Sequence, residues 1–245
     1  MRIAAIIQAR MSSTRLPGKT LMPLAGRPLI SHVVDRISAC RTIDRVVLAT
    51  TVSCADDPLA AWADAQGVFC FRGSEGDVLG RYRDAARASG AEIIARVTAD
   101  DPFKDPEATD EVVCRLVDNG LDFAYNNHPP SFPEGLDAEV FTLSALERAA
   151  RESSDPWERE HVTQYFYRHP QLFRQENVSR EVNLSHLRWT LDTEADYRMA
   201  TAVYDRLYGT GRIFLMDEIL RLLRKHPEIA SMNANEVRSA MYRTD

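Results

Sequence analysis

Three cations, Arg10, Arg15 and Lys19, crowd the stretch IIQARMSSTRLPGKTL at residues 6–21, beside the hydroxyls of Ser12, Ser13 and Thr14 and the backbone freedom of Gly18. Fixed cations, side-chain hydroxyls and close backbone N–H groups are what a phosphate chain needs from a protein. The chemistry they suit is attack at phosphorus, which builds negative charge on the transferring group and on the leaving group. Such chemistry also calls for carboxylates, because Mg²⁺ typically takes one or two of them together with phosphate oxygens and water. Asp100 and Asp101 in RVTADDPF, and Asp192 in LRWTLDTEAD, each follow an apolar run. A second reading stands beside each. The basic stretch could be a solvated loop, Asp100 and Asp101 could cap the turn before Pro102, and Asp192 could cap a helix near 194 with Asp196 as a surface charge.

The elements that would position these residues alternate. Strands are expected at 2–7, 45–50, 68–71, 92–98 and 121–125. Helices are expected at 28–40, 56–67, 76–90 and 105–120, and those at 56 and 105 carry Asp-Pro starts and Gly stops. Asp56 is read as the cap of the first of these. RVVLAT has no polar alternation, as in a parallel strand covered on both faces. This pattern predicts an α/β fold in three layers, a mostly parallel sheet with helices on both sides. Ligands in such sheets lie at the carboxyl ends of the strands, where the basic loop leaves the first strand. Residues 126–180, richer in Pro, His and aromatics, read as an excursion from the sheet, with a strand at AEVFT and helices at 143–152 and 157–168. LRWTL at 187–191 reads as a return strand, followed by helices at 194–207 and 215–226.

The 245 residues are 44% hydrophobic and 27% charged with a formal net charge of −6, which suits a soluble globular chain and argues against a general nucleic-acid binder. No apolar run is long enough to span a bilayer, so no membrane is expected. The first residues have too short an apolar stretch for a signal peptide, and the four cysteines show no C-x-x-C spacing. A reduced, cytoplasmic protein is the expectation.

SSTRLPGKT ends like a nucleotide-binding P-loop. However, Ser13 stands where the first glycine belongs, Pro17 interrupts the loop, and no helix follows at once. A longer pattern fits better. Ala9, Arg10, Ser13, Arg15, Leu16, Pro17, Gly18, Lys19 and Leu21, followed by Gly26, Pro28, Leu29 and Ile30, resemble the signature of the sugar cytidylyltransferases, which include the CMP-Kdo and CMP-sialate synthetases, and most closely the spore-coat-polysaccharide type. The resemblance continues through GSEGDVLGRY, RVTADDPF, GLDAEVF and LRWTLDTEADY. It implies a single domain over 1–245 with a nucleotide-diphospho-sugar transferase-like, Rossmann-like fold. It also implies a substrate or dimerisation excursion at 126–180, and a homodimer.

By that resemblance the activity is transfer of CMP from CTP to an acidic sugar or similar hydroxyl-bearing anion, with release of pyrophosphate, in surface polysaccharide synthesis. Arg10 and Lys19 would stabilise the transferring charge. Gln8, Ala9, Arg10, Ser13, Arg15, Gly18, Lys19 and Asp100 would bind the nucleotide, with Arg72 and Ser74 from the GSEGDVLGRY segment. Asp100 and Asp192 would hold Mg²⁺. Arg96, Asp137, Glu139 and His161 would meet the acceptor. Three rivals are weighed: a GT-A glycosyltransferase, which usually carries a D-x-D pair that this chain lacks; a nucleotidylyltransferase using another nucleotide; and a non-catalytic nucleotide-sugar binder, against which Arg10, Lys19, Asp100 and Asp192 together speak.

Overall fold

The expected alternation builds a seven-stranded sheet in the computed structural model, which describes residues 1–209 and 212–237. The chain runs through β1 (Ile3–Gln8), a small hairpin of β2 (Pro23–Leu24) and β3 (Arg27–Pro28), α1 (Leu29–Ser38), β4 (Arg45–Thr51), α2 (Asp57–Ala65), β5 (Phe69–Gly73), α3 (Val78–Ser89), β6 (Ile93–Thr98) and α4 (Pro106–Asp118). It continues with β7 (Phe123–Tyr125), β8 (Glu139–Thr142), α5 (Leu143–Glu152), α6 (Pro156–Glu160), α7 (Gln164–Arg168) and β9 (Gln175–Asn177). Helices α8 (Glu194–Leu207), α9 (Met216–Lys225) and α10 (Pro227–Ala230) follow. The strand order is β5-β4-β1-β6-β8-β7-β9, with β1 parallel to both β4 and β6.

The sequence IAAIIQ shows no alternation because both faces of β1 are covered. Ile3, Ala5 and Ile7 enter one core with residues of α1, α4 and α8, while Ala4 and Ile6 enter the other with residues of α3, α5 and α7. The sheet is thus pinned from both sides, and the carboxyl ends of β1, β4 and β6 emerge together. Their register pairs Gln8 with Ala49 and Thr98.

Four local expectations are corrected. Residues 126–180 do not simply leave the sheet, because AEVFT supplies β8, inserted between β6 and β7 and antiparallel to both. Glu139 is tolerated there because it lies opposite Arg96 in the ladder and pairs with it. The helix expected at 157–168 is broken into α6 and α7 at Val162, whose φ is +45°. That backbone is uncommon for a β-branched residue, and burying Val162 completely in the aromatic core offsets its cost. Residues 187–191 form no strand, pairing only through a Glu134–Arg188 bridge. They pass so close to Gly135, at φ +103°, that a Cβ there would meet the Trp189 carbonyl carbon at 2.9 Å.

Asp56 does not cap α2 with its side chain. Its carboxylate instead accepts the Met11 N–H at 2.7 Å and the Thr51 hydroxyl, tying the end of β4 to the loop after β1. Burial pushes this carboxyl up, but those donors outweigh burial and hold it below the ordinary range. Its stabilisation is therefore present above the ordinary carboxylate pKa and lost as pH falls through the lowered folded value. Asp56→Ala should cost about 1–3 kcal/mol at pH 7, since buried donors lose their acceptor. Thermal unfolding of the two proteins should show a gap at pH 7 that narrows in acid, and equal melting at pH 7 would contradict this role.

Candidate active site

The loop after β1 is shaped by its own backbone. The Met11 carbonyl accepts the N–H groups of Ser13 (2.9 Å) and Gly18 (3.1 Å), and Gly18 takes the left-handed conformation at φ +73°. The 3₁₀ turn Lys19–Leu21 that follows drives Lys19 inward to 8% exposure. From the other side, Leu191 N–H donates to the Asp100 carbonyl at 2.8 Å, joining the two acid-bearing loops.

Lys19 closes the arrangement. Its Nζ donates to Asp100 Oδ2 (2.6 Å), Asp192 Oδ1 (2.7 Å) and the Leu191 carbonyl (3.0 Å). Arg15 reaches Asp192 Oδ2 at 2.9 Å from an exposed position. A cleft of about 240 Å³ opens here, lined by Gln8, Ala9, Arg10, Ser13, Arg15, Lys19, Asp100 and Asp192, with Thr14, Thr20, Ala99 and Thr98. The cationic loop and two of the three candidate acids therefore share one wall-to-wall site. Gly18 stands behind it as the turn.

Burial pulls the Lys19 ammonium down, but the two carboxylates raise its pKa above that of ordinary lysine. Burial likewise pushes Asp100 up, yet Lys19 and Thr98 more than reverse this and hold it well below the carboxylate range. Asp101 differs. It faces away, bonded to Lys104 Nζ (2.8 Å) and Thr98 Oγ1 (2.8 Å), and burial raises its pKa to about 6 despite Lys104. Asp192 is no helix cap: Thr193 caps α8 in a reciprocal box with Asp196, which is buried, not a surface charge. Among the described residues no group of three or more His, Cys, Asp and Glu side chains gathers to hold a metal. The Asp100 and Asp192 carboxylates, converging on one cation, do fit Mg²⁺, which draws its other ligands from phosphate and water.

A second cleft, of about 350 Å³, shares Gln8 and Arg10 with the first. Arg81, Arg96, Glu160 and His161 line it, so Arg96 and His161 stand where an acceptor could reach them. The break at Val162 ends α6 at His161, whose ring lies against Trp157 with centroids 3.8 Å apart. Burial lowers the His161 pKa, so the ring is neutral at pH 7. Arg81 was missed by sequence reasoning. Its signal is a charge within the buried face of α3, beside Val78, Tyr82 and Ala85.

Besides Gly18, four candidates are brought to neither cleft. Arg72 is bonded to the carbonyls of Thr51 (2.9 Å) and Ser53 (2.8 Å) and to Asp57 (2.7 Å). The Ser74 hydroxyl accepts the Asp77 N–H. The Asp137 carbonyl accepts Lys104. Glu139 is buried, committed to Arg96 and to the Tyr167 hydroxyl at 2.9 Å.

A family model described as cytidylyltransferase matches residues 4–222. The chain belongs to the cytidylyltransferase family. Within it, the chain is 35% identical over 236 residues to the spore coat polysaccharide biosynthesis protein SpsF of Bacillus subtilis, covering 94% of this chain and 97% of that one. A solved cytidylyltransferase of Leptospira borgpetersenii superposes with a TM-score of 0.90 at 32% identity, covering 98% of this chain and 99% of that chain. A CMP:2-keto-3-deoxy-manno-octonic acid synthetase complexed with CTP shares the fold, with a TM-score of 0.64 at 17% identity over 84% of this chain and 99% of its own.

The charge triad makes a testable statement about stability. Lys19→Met leaves Asp100 and Asp192 facing each other without their shared cation. Breaking a fully buried pair costs about 3–5 kcal/mol, and with Asp100 still 28% exposed the loss should be nearer 2 kcal/mol at pH 7. Because Asp100 is held well below its ordinary pKa, this stability is complete above the ordinary carboxylate value and is lost as pH falls through the lowered folded value, so the gap to the unsubstituted protein should begin to narrow only below about pH 4 and shrink further in stronger acid. Denaturant melts across pH would check it, and a gap independent of pH would contradict the pairing.

Proposed function

We propose that the protein transfers a cytidylyl group from CTP to a hydroxyl of an acidic sugar, releasing pyrophosphate, with Mg²⁺ as its cofactor and surface polysaccharide as the destination. The observation that carries this reading is the first cleft, where the Lys19 ammonium sits between the carboxylates of Asp100 and Asp192 beside Arg10 and Arg15. The triphosphate binds against Arg10, Arg15, Lys19 and the Ser13 hydroxyl. Asp100 and Asp192 would hold Mg²⁺, which when bound neutralises phosphate oxygens and acidifies a bound hydroxyl.

The acceptor hydroxyl oxygen forms a bond to the α-phosphorus as the α–β bridging P–O bond breaks; the electron pair leaves with pyrophosphate and the hydroxyl proton passes to solvent. Arg10 and Lys19 meet the charge that grows on the transferring group, at positions already set by the fold, so little reorganisation is needed during the reaction. The acceptor enters the second cleft, which shares the lining residues Gln8 and Arg10 with the first. Neutral His161 there can accept a hydrogen bond from a sugar hydroxyl. Arg81, buried and bonded to the Ser74 carbonyl, forms no ion pair with a carboxylate among the described residues. An acceptor carboxylate would give it a direct ion-pair partner, beyond the more distant charges of Asp56 and Asp77. The SpsF relative's name supports polysaccharide synthesis, and the synthetase of the same fold holds CTP.

Pyrophosphate release from CTP, UTP, GTP and ATP with Mg²⁺, across acidic and neutral sugars, tests this reading. CTP with an acidic sugar should be turned over best. Lys19→Ala and Arg10→Ala should each lower the rate about a hundredfold or more, at roughly 3 kcal/mol per lost donor. Arg72→Ala, which touches neither cleft, should turn over like the unsubstituted protein. No pyrophosphate from CTP with any acidic sugar, or full rates without Lys19, would overturn the proposal.

A further inference from the structure

LRWTL reads as an apolar run, yet Arg188 within it is buried and engages three carboxylates. Its Nε and Nη2 grip Asp196 at 3.0 and 2.9 Å, Nη1 meets Glu134 at 3.0 Å, and Nη2 also meets Asp192 Oδ2 at 3.0 Å. Asp196 in turn accepts the backbone N–H groups of Asp192 (3.0 Å) and Thr193 (3.1 Å). The Asn233 amide, from the turn after α10, donates to Asp196 Oδ1 (2.8 Å) and to the Arg188 carbonyl (3.0 Å). Asp192 is thereby held by its backbone and by one oxygen, and its other oxygen, Oδ1, faces Lys19 in the cleft.

We infer that Arg188 is a positioning residue for Asp192, fixing one carboxylate oxygen so that the other is presented to a cation in the cleft, with Asn233 bracing Arg188 from behind. The inference rests on the proposed metal role of Asp192. Arg15 also touches Asp192 Oδ2, but its side chain is 54% exposed and free to turn to a phosphate, whereas that of Arg188 is 4% exposed. The guanidinium is planar and spans several acceptors at once, which an ammonium cannot do. A residue that served folding alone, by neutralising Glu134 and Asp196, would not alter the affinity of the site for a cation.

The test uses Mn²⁺ in place of Mg²⁺, followed by electron paramagnetic resonance with CTP present and no acceptor. Arg188→Lys keeps the charge and loses the fork. Its Mn²⁺ affinity should fall about tenfold to a hundredfold, while CTP binding without a divalent ion is unchanged. Asn233→Ala leaves every charge in place and should lower Mn²⁺ affinity in the same direction by less. If folded Arg188→Lys titrates like the unsubstituted protein, the inference is overturned. If Arg188→Lys does not fold, a normal Mn²⁺ titration in Asn233→Ala overturns it. If the unsubstituted protein with CTP binds no Mn²⁺, the metal role of Asp192 falls and takes this inference with it, while CTP-dependent binding in the absence of metal would still stand.

Discussion

A single ammonium shared by two carboxylates organises this molecule's working face. Lys19 could not be buried without Asp100 and Asp192, and those two acids could not stand so close without Lys19. Each removes the cost of the other. The cluster is also one that a ligand can exchange. A triphosphate offers Lys19 new anionic oxygens, and a divalent cation offers the acids a new partner. The resting contacts thus keep the cleft open and charged, with its donors already in place.

The rest of the fold serves to bring these three charges together from distant parts of the chain. The parallel register of β1 and β6 sets their ends side by side. Gly18 turns the chain so that Lys19 points inward, and Asp56 anchors the loop at Met11. The Leu191–Asp100 backbone bond ties the third segment to the second. Thr193 takes over the capping of α8, which leaves Asp192 for the cleft. Gly18, Asp56, Leu191 and Thr193 do not line the cleft, yet each fixes a degree of freedom that would otherwise blur the site.

Much of this was legible in the sequence, for physical reasons that also explain what was not. Arg10, Lys19, Asp100 and Asp192 stood out because charges directly after buried strands need a purpose. The helices with Pro58 and Pro106 in their first turns announced themselves through local backbone chemistry. Strand order is a tertiary property, so the insertion of β8 between β6 and β7 left no mark on the local pattern. The break at Val162 was hidden because the apolar spacing runs on across it, and only the pull of the aromatic core decides otherwise. Arg81 and Arg188 were overlooked because a single charge on a buried face looks like an interruption; Arg188 is a buried hub for three carboxylates, and Arg81 is a buried cation that lines the second cleft. Arg72 was credited with a ligand although nearby carbonyls and Asp57 satisfy it. Glu139 was assigned to the acceptor, while the ladder had paired it with Arg96.

A crystal structure with CTP and Mn²⁺, read by anomalous scattering, tests the central exchange most directly. The account predicts the anomalous peak between the carboxylates of Asp100 and Asp192, with Lys19 Nζ moved onto phosphate oxygens. A peak elsewhere, with Lys19 still bonded to both aspartates while nucleotide is bound, would contradict it.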